Sequence, residues 1–214
     1  MEFLDEDLSK YIEEHTENEP ELLKSINRET HLQVLKPRML SGHLQGRVLS
    51  MLSHMIKPSR ILEIGTYTGY SALSMAEGLQ KDGLLYTIDI NEELEKRVQS
   101  YFNQSDFSNS IKFLKGNALD IVPTLDEKWD MVFIDADKEN YLNYYKLCFD
   151  QVKQGGYILI DNVLWSGKVL AKNRKKLDKD TEAILGFNKF VHDDERVQDV
   201  LFPIRDGLMI LRKK

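Results

Sequence analysis

Apolar positions along this chain change their period near residue 58. Before that point they recur at helical spacing, as Leu4, Leu8, Tyr11 and Ile12 in residues 2–21 and as Leu44, Val48, Leu49, Leu52, Met55 and Ile56 in residues 44–56. This predicts two amphipathic helices, closed by Pro20 and Pro58. Beyond it, near-continuous runs of Ile, Leu, Val and Phe at 60–64, 84–90, 111–114, 131–135 and 157–161 alternate with helical stretches at 70–80, 92–102 and 140–152. Runs that are apolar on both faces are expected of parallel strands covered by helices on each side, so the pattern predicts an α/β fold. The last two runs, 197–204 and 208–212, are joined through Arg205-Asp206-Gly207. Asp-Gly is a short-loop hairpin signal, and the sheet is expected to finish in an antiparallel pair.

Composition narrows the class. With 214 residues, 42% of them hydrophobic and 30% charged, the chain is expected to form one soluble domain over residues 1–214. No apolar stretch approaches the roughly 20 residues that span a bilayer, and the start, Met1-Glu2-Phe3-Leu4-Asp5-Glu6-Asp7, is acidic where a signal peptide would be basic. The expected location is cytoplasmic. Residues 2–21 hold nine acids against one base, Lys10, and the net charge of −6 argues against a dedicated duplex-DNA binder, though a local basic patch could still serve a small structured RNA. Cys148 is the sole cysteine, which excludes an internal disulfide and any Cys-x-x-Cys motif. Its neighbours Tyr144, Tyr145, Leu147 and Phe149 point to a buried helix position. His15, His31, His43, His54 and His192 show no metal-ligand spacing.

Two strand-like runs end in clusters of hard oxygen donors, Asp135-Ala136-Asp137-Lys138 and Asp161-Asn162. In an open α/β sheet, ligands bind outside the carboxyl ends of parallel strands, so acids ending neighbouring strands converge on one crevice. A lone strand-end Asp is often a turn former or helix cap. Several carboxylates from two strands repel one another unless a cation lies among them, and the expectation is a metal site.

A second signal follows the first strand, where Glu63-Ile64-Gly65-Thr66-Tyr67-Thr68-Gly69-Tyr70-Ser71 is a glycine-containing loop feeding a helix. It lacks Gly-x-Gly-x-x-Gly, which disfavours a pyrophosphate. Glu63 sits badly beside a phosphate but suits a ligand with an ammonium and a sulfonium, and S-adenosylmethionine is such a ligand. Asp89 ends the second strand 24 positions beyond Gly65, placed to accept both ribose hydroxyl protons. Gly116-Asn117-Ala118, after the third strand, leaves room for the adenine. Packing need alone also produces short glycine loops followed by an acid, and that reading stays open.

Taken together, Glu63 to Ser71, Asp89-Ile90-Asn91, FIDADKENYLNYY at 133–145, DNVLWSG at 161–167 and Pro203-Ile204-Arg205-Asp206-Gly207 resemble the cation-dependent S-adenosylmethionine O-methyltransferases, the family of caffeoyl-CoA and catechol O-methyltransferases. The resemblance runs from Met39 to the final strand. It implies a doubly wound, Rossmann-like sheet of seven mostly parallel strands with helices on both faces, in a homodimer. It implies metal ligation by Asp135, Asp161 and Asn162. It further implies that Ser41, Glu63, Gly65, Thr66, Tyr67, Ser71, Asp89, Ala118, Asp135 and Asp137 border the cofactor, with residues 1–58 contributing to that pocket and to dimer contacts. Where the plant caffeoyl-CoA enzymes have Asn this chain has Ser166, and its amino-terminal arm differs, which argues against a CoA thioester acceptor.

Two carboxylates and an amide oxygen form a hard donor set that suits Mg²⁺, with Mn²⁺ or Ca²⁺ as alternatives. Such a site fits an acceptor that chelates through a vicinal aromatic diol, with attack of the phenolate on the sulfonium methyl. Lys138, where the catechol-type relatives also place a lysine, is the candidate base alongside Asp135. Trp165 and Tyr141 either wall the acceptor slot or belong to the core. The expected activity is methyl transfer to a hydroxylated aromatic small molecule. The alternative within the family is a hydroxyuridine of tRNA, to which the basic residues Lys168, Lys172, Arg174, Lys175, Lys176 and Lys179 would contribute; a solvated loop explains them equally well.

Overall fold

The computed structural model describes residues 5–173 and 176–214. The chain folds as two compact units, one ending at Asn117 and the other running from Ala118 to Lys214.

In the first unit, helices α1 (Glu6–Glu14), α2 (Glu21–Gln33) and α3 (Gly42–Ile56) precede β1 (Arg60–Ile64), α4 (Tyr70–Ala76), β2 (Leu84–Asp89), α5 (Glu95–Gln104) and β3 (Ile111–Lys115). The strands lie in the order β3-β2-β1, all parallel, with Ile64 level with Ile88 and Asp89 level with Lys115. Ile61, Leu62, Leu85 and Ile88 have almost no exposure, as the apolar runs required. The helix expected over residues 2–21 ends at Glu14 and buries nothing. Pro20 opens α2 instead of closing α1, because its fixed φ suits the entry to a helix. Leu23, Ile26 and Thr30 are the stripe that α2 buries, a period-3.6 signal passed over in the sequence reading.

The second unit holds α6 (Ala118–Ile121), β4 (Trp129–Ile134), α7 (Tyr141–Phe149), β5 (Val152–Ile160), α8 (Lys179–His192), β6 (Val197–Phe202) and β7 (Leu208–Lys213). β4 and β5 are parallel, with Ile134 level with Ile160; β7 is antiparallel to both β5 and β6. β5 starts earlier than the apolar run at 157–161 because its first half carries Lys153, Gln154 and two glycines, which hide a strand from a hydrophobic pattern. α8 was not anticipated either. Asp178 caps it by accepting the Thr181 N–H at 2.8 Å, and Ile184, Phe187 and Val191 face inward. Cys148 is buried in α7 as expected, and burial pushes its thiol up to about 12.

Seven strands among the described residues, mostly parallel and ending in an antiparallel hairpin, make this the expected doubly wound α/β class. No helix among those residues is long and apolar enough to cross a membrane.

The turn joining β6 to β7 also braces another segment. Leu164 N–H donates to the Asp206 carbonyl at 2.8 Å and Val163 N–H to the Gly207 carbonyl at 3.1 Å. Gly207 has φ +88°, and a Cβ there would stand 2.5 Å from Leu164 Cγ and 3.0 Å from the Leu164 nitrogen. Gly207→Ala therefore meets both a left-handed backbone and a clash, and should cost about 2–3 kcal/mol. Urea unfolding of the two proteins checks this, a loss under about 0.5 kcal/mol being too small for a residue held this way.

Candidate active site

The loop after β1 is shaped by its glycines, Gly65 with φ 104° and Gly69 with φ 81°. A Cβ on Gly69 would lie 2.7 Å from the Phe102 ring, so the helix α4 can start here only from glycine. Glu63 lies beneath the loop with no exposed surface. Its Oε1 accepts the Ser71 hydroxyl at 2.5 Å, and its Oε2 accepts that of Thr87, its partner in register on β2. Thr87 and Thr66 share a further hydroxyl contact at 2.5 Å. Asp89 is half-buried at the end of β2; its Oδ2 accepts the Tyr67 N–H at 2.7 Å and its Oδ1 the Asn91 N–H at 2.8 Å. A carboxylate has about four lone-pair directions, so this one is fixed by two backbone donors and keeps acceptor capacity for two hydroxyls. The unit thus joins Ser71 to Glu63 directly, Thr66 to Glu63 through Thr87, and Tyr67 to Asp89. Ser41 is buried just ahead of α3.

In the other unit, Asp135 and Asp161 follow register partners Ile134 and Ile160, so they stand side by side at the carboxyl ends of parallel neighbours. Asp161 is 3% exposed and accepts the Asn162 N–H on Oδ1 at 2.8 Å, while Asn162 takes a left-handed φ of 60°. Lys138, only 8% exposed, donates to Asp135 Oδ1 at 3.0 Å, to the Ala136 carbonyl at 3.0 Å and to the Tyr141 hydroxyl at 2.6 Å. Tyr141 passes the chain on, donating to the Asp161 carbonyl at 2.8 Å. Its phenol pKa is held well above the ordinary value, first by burial and then by Asp135, Asp161, Asp137 and Asp206. Asp137 gives both oxygens to its own helix start, accepting Tyr144 on Oδ1 and Asn140 on Oδ2, each at 2.5 Å. Ala118 is buried at the head of α6.

Of the two aromatics, Tyr141 has no exposed surface and is a core residue whose hydroxyl meets Lys138. Trp165 is partly exposed, and Lys138 Nζ lies 5.7 Å from its ring centroid and 4.8 Å from that of Tyr141. The indole N–H is buried without a hydrogen-bond partner among the described residues. Trp165 and Ser166 both take left-handed backbones, φ 47° and 50°, held by the Ser166 N–H donating to the Asp206 carboxylate. Burial raises the Asp206 pKa, against the lowering effects of the Ser166 N–H, Lys138 and Arg205. Asp206 and Thr87 escaped the sequence reading. Thr87 had a signal, a polar residue at the position matching Glu63 in an adjacent apolar run, whereas no spacing ties residue 206 to 166. Of the basic loop, Arg174 and Lys175 lie outside the described residues, and Lys168 is paired with Asp178 at 3.0 Å.

The O-methyltransferase family matches residues 13–214. Caffeoyl-CoA O-methyltransferase 1 of Arabidopsis thaliana is 34% identical over 220 residues, covering 97% of this chain and 85% of that protein. The caffeoyl-CoA O-methyltransferase of Medicago sativa is 37% identical over 179 residues, covering 79% and 72%. Among solved structures, a Podospora anserina methyltransferase bound to SAH superposes with a TM-score of 0.90 at 27% identity, over 100% of this chain and 98% of the other. The O-methyltransferase TomG of Streptomyces achromogenes, in complex with SAM, gives 0.87 at 26% identity over 97% and 96%. This chain belongs to the O-methyltransferase family. Its class is that of the S-adenosylmethionine-dependent O-methyltransferases.

The Tyr141 hydroxyl is fully enclosed and bonded on both sides, so Tyr141→Phe leaves the Asp161 carbonyl and one Lys138 hydrogen unmatched. The expected cost is about 1–3 kcal/mol of stability. Thermal or urea unfolding measures it, and an unchanged midpoint would mean these bonds are not formed in solution.

Proposed function

We propose that the enzyme transfers a methyl group from S-adenosylmethionine to one hydroxyl of a vicinal aromatic diol, with a divalent cation bound by Asp135, Asp161 and Asn162. The observation that carries the reading is the pair of strand-end carboxylates standing level, with the Lys138 ammonium enclosed beside them. Asp135, Asp161 and Asn162 offer only hard oxygens, a donor set that fits Mg²⁺. They include only two acids, in keeping with the lack of any cluster of three or more His, Cys, Asp or Glu suited to a metal among the described residues. When bound, the ion would favour loss of a phenolic proton and draw both acceptor oxygens to one point.

The residues divide the remaining work. Asp89 takes the ribose hydroxyls on its unused lone pairs, and Glu63 answers the positive charge of the cofactor's methionine end. Ser41, Gly65, Thr66, Tyr67, Ser71, Ala118, Asp135 and Asp137 complete the cofactor's surroundings in this reading. Lys138, in its neutral amine form, receives the acceptor's proton and becomes the ammonium that Asp135 and the Tyr141 hydroxyl hold. Trp165 lies along the acceptor ring, and its unmatched indole N–H is a donor for an acceptor oxygen. Orientation matters because the oxygen, the methyl carbon and the sulfur must be in line. Of the basic loop, Lys168 is already engaged by Asp178, while Lys172, Lys176 and Lys179 lie exposed, so the tRNA alternative is an arm of the test.

Mass spectrometry of methyl transfer to a panel of catechols, beside total tRNA, tests the proposal. Turnover on a catechol should vanish in excess EDTA and return with Mg²⁺, and Asp161→Ala should behave like the chelated enzyme. Lys138→Met should lower kcat about 10²–10⁴-fold. Full activity of metal-stripped enzyme would end the metal assignment, and transfer to tRNA alone would end the small-molecule one. Asp89→Ala should weaken SAH binding about tenfold or more, since charge-assisted bonds are worth about 1.5–3 kcal/mol; unchanged affinity by calorimetry would remove Asp89 from the cofactor.

A further inference from the structure

The segment 19–36 touches the cofactor loop and the start of α4 at three residues, Tyr67, Thr68 and Tyr70. Tyr70 begins α4 immediately after Gly69, is 1% exposed, and donates its hydroxyl to Glu19 Oε1 at 2.5 Å. Asn27 holds the same Glu19 oxygen at 3.0 Å, so the carboxylate is fixed from the α2 side. Thr30, wholly buried on α2, meets the hydroxyl of Thr68 at 3.4 Å. The Tyr67 hydroxyl donates to the carbonyls of Leu35 and Lys36, at 3.2 and 3.3 Å.

Tyr67 links this strap to the ribose acid. It has a left-handed φ of 49°, a conformation that costs a non-glycine residue about 1 kcal/mol or more and persists only where its surroundings hold it. That backbone is what aims the Tyr67 N–H at Asp89 Oδ2. The ring hydroxyl is tied to residues 35 and 36 at the other end. Tyr70 sits on the far side of Gly69, where its ring closes on Gly46 so tightly that a Cβ there would be 2.5 Å from Cε1. The loop is thus gripped on both sides of Gly69 by its own phenols, whose hydroxyls rest on the strap.

We propose that the hydroxyls of Tyr67 and Tyr70 are handles by which residues 19–36 set the cofactor loop, which makes Glu19 and these two hydroxyls positioning groups for S-adenosylmethionine. The inference rests on the reading that the loop and Asp89 take the cofactor. None of these hydroxyls needs to touch the reacting atoms. They act through the loop's backbone, and through Tyr67 on the carboxylate that meets the ribose.

The test uses calorimetry with S-adenosylhomocysteine on the full chain. The double variant Tyr67→Phe with Tyr70→Phe loses only two oxygens and should raise the Kd about tenfold, the sum of two ordinary hydrogen bonds. Glu19→Ala should raise it about fivefold, and Glu19→Gln, which keeps an acceptor for Tyr70, should stay within about twofold of the unaltered protein. Tyr101→Phe is the control. Its hydroxyl ties the same helix α2, through Glu29 at 2.7 Å, to α5 instead of to the loop, and its loss should leave the affinity unchanged. A second readout separates positioning from general loosening: the preference for S-adenosylhomocysteine over its 2′-deoxy analogue should shrink in the double variant, because Asp89 is no longer aimed. Wild-type affinity in the double variant, or an equal loss in Tyr101→Phe, overturns the proposal. Failure of the unaltered protein to bind S-adenosylhomocysteine would instead bring down the reading of the loop, and the handles with it.

Discussion

Like charges crowded at the ends of two adjacent strands set the terms for the carboxy-terminal unit. Parallel neighbours lie about 4.8 Å apart, so Asp135 and Asp161, following the level pair Ile134 and Ile160, leave adjacent strand ends side by side, Asp161 buried and Asp135 half-buried. Asp137 and Asp206 add two further acids that bear on the same point, the Tyr141 hydroxyl. Lys138 supplies one positive charge, 3.0 Å from Asp135. Carboxylates out of water stay ionised only beside cations or strong donors. The donors here are the Asn162 N–H for buried Asp161 and the Ser166 N–H for half-buried Asp206, while Asp137, exposed to water, accepts from Tyr144 and Asn140. A proposed divalent ion completes a balance that one lysine leaves short.

Holding those donors in place takes an unusual backbone. Asn162, Trp165, Ser166 and Gly167 all have positive φ within six residues. For non-glycine residues such conformations cost of order 1–3 kcal/mol each and survive only when the surroundings over-determine them. The surroundings are the β6–β7 turn, whose Asp206 and Gly207 receive the N–H groups of Leu164, Ser166 and Val163. The hairpin that ends the chain is therefore part of the site's scaffold. The amino-terminal unit follows the same logic at Tyr67, whose left-handed turn directs a backbone donor at Asp89.

Much of this was legible in the sequence. Parallel strands buried on both faces leave long apolar runs, and β1, β2 and β3 fell within a residue of their expected bounds. The strand-end acids and the glycine loop were visible because their chemistry is local: each cluster is contiguous in the chain. What escaped reading was either amphiphilic or long-range. The first half of β5 is polar and glycine-rich, α8 follows directly on a run of lysines, and α2 was hidden behind a proline that opens a helix instead of ending one. The partnership of Asp206 with Ser166 spans 40 residues and leaves no periodic trace. The side chains of Tyr141 and Trp165 were ambiguous for a different reason, since an aromatic residue near a site serves equally as wall or core, and only burial assigned Tyr141 to the core.

The central claim is that the paired strand-end carboxylates call for a divalent cation, and the most direct measurement is Mn²⁺ binding followed by electron paramagnetic resonance. The account predicts one site per chain in the unaltered protein, displaced by Mg²⁺ and lost in Asp161→Asn, a change that keeps the side chain's shape while removing its charge. Binding that is absent in the unaltered protein, or that persists unchanged in Asp161→Asn, would contradict it.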